Sequence, residues 1–340
     1  VVREDIFRGV LLVRVASSHI RVGTFEFFAS RGQYNDVRAL ANYSIQRHFP
    51  DLKSNKDKYL GLLNAVSQRQ AELIAQWMSF GFIHGVMNTD NMAICGETID
   101  YGPCAFMDEY NPDQVFSSID HSGRYKYSNQ PKVAPWNLSR LAETLLPLIA
   151  DKPEEAVQDA QKIIERFSNH YDNIFRKLMI KKIGISPINS CEEPKIFEHA
   201  QTFLEILKAQ KADFTNSFRS LTNYLNGTAI PKDLNTLAPS EELKAWIEDW
   251  KLILKHHNFE KNKTLEILRS SNPFIIPRNH QVEKSLLESI QNYKIGITEF
   301  KSFERLVKAS LEPFKENLNN KDLCLPPKES EKIHETFCGT

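Results

Sequence analysis

The sequence has no CxxC pair, no long apolar run and no excess of either charge. Its five cysteines, Cys95, Cys104, Cys191, Cys324 and Cys338, are scattered and odd in number, which argues against both a zinc ribbon and a disulfide framework. No apolar stretch approaches the ~20 residues that a helix needs to cross a bilayer. The opening VVREDIFRGV breaks each short apolar stretch with charge, unlike a secretory signal. Lys plus Arg and Asp plus Glu both number 43, so no net field draws the molecule to nucleic acid or to an anionic membrane, and neither is an expected partner. Internal repeats and low-complexity tracts are also missing. A soluble, reducing compartment is expected, with bacterial cytoplasm as the default. An initiator Met is absent too. Val1 opens on what reads as mid-domain sequence, so a targeting segment ahead of it stays open.

With 41% apolar and 25% charged residues in 340, the chain can bury the core of one large or two ordinary domains. Residues 9–16 (GVLLVRVA) are β-branched and apolar, which predicts a buried strand. Residues 35–48 have helical spacing, with Asn35 as a candidate N-cap and Pro50 as a stop. The charged stretch 51–58 reads as a loop. Leu60, Leu63, Val66, Leu73, Ile74 and Trp77 then form one stripe of a long helix ending before Gly81. Residues 92–94 and 98–99 are short apolar runs around Cys95, Gly96 and Glu97, the pattern of a tight β-hairpin. Residues 110–135 read as a long ordered loop. From Trp136 onward the pattern is helical, broken near 184–193, 227–239 and 272–277, and a Lys- and Glu-rich tail follows from Leu325.

Asp90, Asn91 and Asp100 are the candidate site. A hairpin returns the chain to its start, and opposed positions lie about 4.5–5.5 Å apart, so Asn91 and Asp100 are placed to share one cation. A hard ion such as Mg2+ takes oxygen ligands, and an Asn amide oxygen with an Asp carboxylate supplies them. Protein kinases order a catalytic loop, a short hairpin and an Asp-containing turn in this way around a metal–nucleotide. Asp and Asn beside a turn also cap the backbone, and on spacing alone both readings stand. His84 reads as a packed or backbone-bonded histidine. Nothing near Cys95 or Cys104 suggests an activated thiolate.

The strings HGVMNTDNM (84–92), IDYGP (99–103), DEYNP (108–112), DHSGRYKYSNQP (120–131) and WNLSRLAETLLPLI (136–149) together resemble the selenoprotein O (YdiU) family. RGVLLVRVASSHIRVGTFEFF at 8–28 is similar to the same family, and the likeness persists in DFTNSFRSL (213–221) and SNPFIIPRN (271–279). The resemblance implies an α+β, protein-kinase-like fold, mainly the catalytic lobe, with a large helical C-terminal extension. Residues 1–150 would form the end of the N-lobe and the catalytic core, and residues 151–340 the helical C-terminal region with a flexible tail.

It further implies that ATP binds flipped relative to protein kinases, so that AMP passes to Ser, Thr or Tyr hydroxyls of protein substrates. Mg2+ is the implied cofactor, with Mn2+ as the alternative. Carried over by motif, Asp90 is the proton acceptor, Asn91 and Asp100 are the metal ligands, and Arg14 and Arg21 hold the nucleotide's phosphates. Such chemistry depends on positioning and charge neutralisation, and the arginine fork matches phosphate. The family's Gly-rich segment, its phosphate-binding Lys and the paired Glu would lie ahead of Val1, so the chain alone is expected to be weak or inactive. A mitochondrial location would replace the cytoplasm in a eukaryote. Cys338 stands where some animal members carry selenocysteine, and Phe116 and Ser117 where some bacterial members place another Cys. A truncated pseudoenzyme serving as an interaction module and an ordinary phosphoryl-transfer kinase remain open alternatives.

Overall fold

The computed structural model describes residues 11, 13–185, 191–230, 234, 237–257 and 259–337. Helix α1 (Val22–Ala29) leads into α2 (Tyr34–His48), which starts one residue ahead of Asn35 and stops before the tight turn Pro50–Leu52, where Pro50 has no amide to continue the ladder. The long α3 (Lys58–Phe80) buries Leu62, Leu63, Val66, Ile74 and Trp77 and ends at left-handed Gly81. Leu60 and Leu73 of the expected stripe are half-buried. Strands β1 (Phe82–Ile83) and β2 (Ala105–Phe106) pair antiparallel, Phe82 opposite Phe106 and Ile83 opposite Ala105.

Helices α4 (Gln130–Ile149) and α5 (Pro153–Lys182) pack on α3 and on each other. Pro153 opens α5 with Glu154 and Glu155 in its first turn and Lys181 and Lys182 in its last, an order that complements the helix dipole. Then follow α6 (Glu193–Gln210), α7 (Phe214–Asn226), α8 (Glu241–His256), α9 (Lys261–Ser271), α10 (Asn279–Lys294) and α11 (Lys301–Leu311). The gaps after α5, α7 and α9 fall where the sequence pattern breaks, whereas those after α6, α8 and α10 were not anticipated. Asp213 caps α7 by accepting from the Asn216 amide at 2.7 Å, and Ser240 caps α8 by accepting from Leu243 at 3.1 Å. One apolar cluster runs from Val22 through α3, α4 and α5 to Trp250 and Leu268. A smaller one joins Phe274 and Ile275 to Leu306 and Leu323. The described residues are thus mostly helical with one short ladder, and no described helix is long and apolar enough to cross a membrane.

Three sequence expectations change. Of the strand expected at 9–16, the described residues form no ladder, and Leu11, Val13 and Val15 are exposed. A strand needs a neighbour, and none runs beside them among the described residues. Polar ties hold this stretch instead: Ser17 donates through its amide and hydroxyl to Glu97 (3.2 and 2.5 Å), and Arg47 donates to the Ser17 carbonyl (2.8 Å). The hairpin at 92–99 is also replaced. Met92 accepts from Val22 N at 3.0 Å and Ile94 donates to the Ile20 carbonyl at 3.1 Å, so this segment spends its backbone bonds on a distant partner. Finally α4 starts at Gln130, inside the expected loop, because Pro131 lies in its first turn, where a missing amide costs nothing.

Candidate functional site

The loop between β1 and the Thr89–Asn91 turn is held from below by α4. Gln130 accepts from the His84 amide and donates to the Phe82 carbonyl, both at 2.9 Å, while Asn137 donates to the Met87 carbonyl at 2.9 Å. His84 is fully buried; its Nε2–H donates to the Ile99 carbonyl at 2.8 Å, which fixes the neutral tautomer. Burial lowers its pKa, with the Ile99 bond and the Asp100 charge pulling the other way. It is a spacer between two loops and lies too deep to act as a base. Gly85 beside it has φ 84°, and a Cβ there would come within 3.0 Å of the Pro103 carbonyl oxygen. That close approach clamps residues 84–86 against the turn at 99–103.

Asn91 donates its side-chain NH2 to the Val86 carbonyl at 2.9 Å, so its Oδ1 is left as an acceptor. Asp100 sits in left-handed backbone at φ 62°, a conformation Asp tolerates better than most residues and one that clusters at functional sites. Its carboxylate accepts from Arg14 at 3.0 Å, with the two side chains 28% and 49% exposed. Among the described residues Asn91 and Asp100 are not bonded to each other; Asn91 is tied to Val86, and Ile99, the residue before Asp100, is tied to His84. Asn88 Oδ1 in the same loop is buried without a partner among the described residues. Orphaned or uncommitted hard oxygens of this kind fit Mg2+.

Arg21 is brought to this loop by the pairing that replaced the hairpin. It forms an antiparallel bridge with Ala93, and its Nε is buried with no partner among the described residues. A guanidinium in that state fits an anion. Two residues on, Gly23 in the first turn of α1 faces the exposed Asp90, and a Cβ at Gly23 would lie 2.1 Å from Asp90 Oδ1. The carboxylate therefore rests against the positive end of α1. Sequence reasoning missed Gly23, whose only signal was a glycine two residues after a predicted phosphate-binding arginine.

A second cluster was also missed. Buried Arg278 donates to Asp213 at 2.7 and 3.0 Å and to Asp108. Burial opposes the Arg278 charge, but Asp213 and then Asp108 outweigh it and hold its pKa above the ordinary value. Burial raises Asp108, with Arg278 acting against the rise. The cluster ties the end of β2 to α7 and to the start of α10.

The tail comes back over the same region. Ser118 N donates to the Thr336 carbonyl (3.0 Å), Thr336 N to the Phe116 carbonyl (2.7 Å) and the Thr336 hydroxyl to the Pro103 carbonyl (2.6 Å). Cys338 lies outside the described residues. Burial raises the thiols of Cys104 and Cys324 to about 11 and raises Cys95, so none is an activated thiolate.

Arg14, Arg21, Asp90, Asn91 and Asp100 thus lie on cross-bonded segments at one edge of a helical body, a donor set of guanidinium groups and hard oxygens suited to a metal-bound phosphate. The family model described as Protein adenylyltransferase SelO matches residues 1–310, and the chain belongs to that family. Similar curated relatives are each called Protein nucleotidyltransferase YdiU. Those of Bacillus cereus (strain G9842) and Bacillus mycoides (strain KBAB4) are 44% and 45% identical over 99% of this chain. That of Rhizobium etli (strain CIAT 652) is 44% identical over 100% of it. The chain spans 66% of the length of each of these relatives.

Proposed function

We propose that the chain carries the catalytic core of a protein adenylyltransferase, which moves AMP from ATP to Ser, Thr or Tyr hydroxyls of other proteins with Mg2+ as cofactor, Mn2+ being the alternative ion. The observation that carries this reading is the pairing of Arg14 with Asp100, together with an Arg21 Nε that has no partner among the described residues, on segments where the chain resembles its family. In this reading Arg14 exchanges Asp100 for a phosphate oxygen, and Arg21 takes another. Asn91 Oδ1 and the Asp100 carboxylate hold the metal, which when bound neutralises phosphate charge. Asp90 accepts the proton of the attacking hydroxyl. Residues 1 to about 150 are assigned to a kinase-like core and the remainder to a helical region.

Differently labelled ATP, given to the full-length protein, tests the proposal. Label from the α-phosphate should appear on protein, and label from the γ-phosphate should not. The reverse pattern would replace it with phosphoryl transfer, and no label from either with a non-catalytic interaction module.

A further inference from the structure

Lys182, the last residue of α5, is 2% exposed. Its ammonium lies over the rings of Phe80, Phe214 and Phe218 at 5.7, 5.2 and 4.4 Å. Among the described residues no carboxylate pairs with it and no carbonyl accepts from it. Buried charges are ordinarily paired, and ring faces compensate only in part. Burial accordingly lowers Lys182 to about 7. One side of the residue borders a cavity of about 350 Å³, lined also by Ser79, Leu178, Lys181, Ile267 and Ser271. Among the described residues Lys181 is the other titratable group lining it: α3 and α9 contribute serines and apolar side chains, and α7 contributes the rings of Phe214 and Phe218. The Ser79 and Ser270 hydroxyls donate to the Gln76 and Glu266 carbonyls, both at 2.9 Å.

We propose that Lys182 is a modification site, a buried amine nucleophile that takes a small acyl group from an acyl phosphate entering through this cavity. The Nζ lone pair attacks the acyl carbonyl carbon. A C–N bond forms, the C–O bond to phosphate breaks, phosphate leaves with the electron pair and the amine proton passes to water. The product is a neutral amide in place of a buried charge, so the same desolvation that disfavours the ammonium favours the modified state. The cavity supplies the room that a close-packed core would deny.

Acetyl phosphate is the probe, and exposed Lys181, next in sequence, is the internal reference. At pH 7 a neutral-amine fraction near one half exceeds that of an ordinary lysine by about 10³. If amines follow the slope of ~0.5 known for thiols, weaker intrinsic nucleophilicity leaves a net advantage of about 30-fold. Short incubations of the folded chain at pH 7, followed by fragment mass spectrometry, should show Lys182 acetylated at least tenfold faster than Lys181. In concentrated urea the ratio should fall to near one. Equal or faster acetylation of Lys181 in the folded chain would overturn the proposal. So would a preference that survives urea, since it would then come from local sequence and not from burial.

Discussion

Replacing Gly23 by Ala perturbs the candidate base without touching it. The new Cβ would sit 2.1 Å from Asp90 Oδ1, whereas ordinary contact begins near 3.4 Å, and Asp90 N already lies at 3.4 Å. The backbone can therefore stay while the carboxylate retreats by more than about 1 Å, a misplacement that costs on the order of 10² in rate when it affects a reacting group. Stability should move the other way or not at all, because Ala gains up to ~1 kcal/mol over Gly inside a helix. Gly23→Ala should thus keep its urea midpoint and its Mg-ATP affinity within a few fold while single-turnover AMP transfer falls about a hundredfold. Transfer at the wild-type rate would refute the placement of Asp90 as the base. A lost fold would show that α1 cannot accept a side chain there for another reason.

Asp100→Asn keeps a residue tolerant of left-handed backbone but removes the charge. Calorimetry should find Mg-ATP affinity at least tenfold weaker with stability within about 1 kcal/mol, since the exposed Arg14 pair contributes little, and unchanged affinity would remove Asp100 from the metal site. Arg278→Ala leaves Asp213 and Asp108 without their counter-charge and should cost ~3–5 kcal/mol in urea unfolding; a loss under ~1 kcal/mol would mean that the cluster is not structural. Lys182 has a folded pKa of about 7, below the ordinary ~10.4. Between those values the unfolded chain holds a proton that the folded chain has released, so stability rises with pH through that window and the penalty is full below it. Lys182→Met should flatten this rise when unfolding at pH 7 and pH 9.5 is compared with wild type, and identical slopes would show that Lys182 titrates normally.

Local pattern made the helices legible. The stripe of α3, its stop at Gly81 and the gaps after α5, α7 and α9 follow from spacing and from breakers that act within a few residues. What failed depended on distant partners. Residues 92–94 look like half a hairpin, yet they pair with residues 20–22, and nothing local announces that competitor. The expected strand near the start had the right residue types but no neighbour among the described residues. Residues 110–135 read as one loop, although α4 begins at Gln130 and places Gln130 and Asn137 to hold the site loop from below.

The strings at 108, 213 and 271 carry the family likeness as the site strings do, yet each supplies one member of the Asp108–Asp213–Arg278 cluster. Likeness to a family does not separate a residue that does chemistry from one that braces it. Geometry does: in the brace the Arg278 guanidinium is buried and spends its NH groups on Asp213 and Asp108, whereas Asp90 is exposed at the surface of its loop.

The most direct measurement is intact and fragment mass spectrometry of the full-length protein after incubation with Mg-ATP, comparing wild type with Asp90→Asn. An AMP adduct on hydroxyl side chains of the wild type, reduced by about 10² or more in the variant while ATP affinity stays within a few fold, is the predicted result. A phosphate adduct without AMP, or an AMP adduct formed equally by Asp90→Asn, would contradict the account.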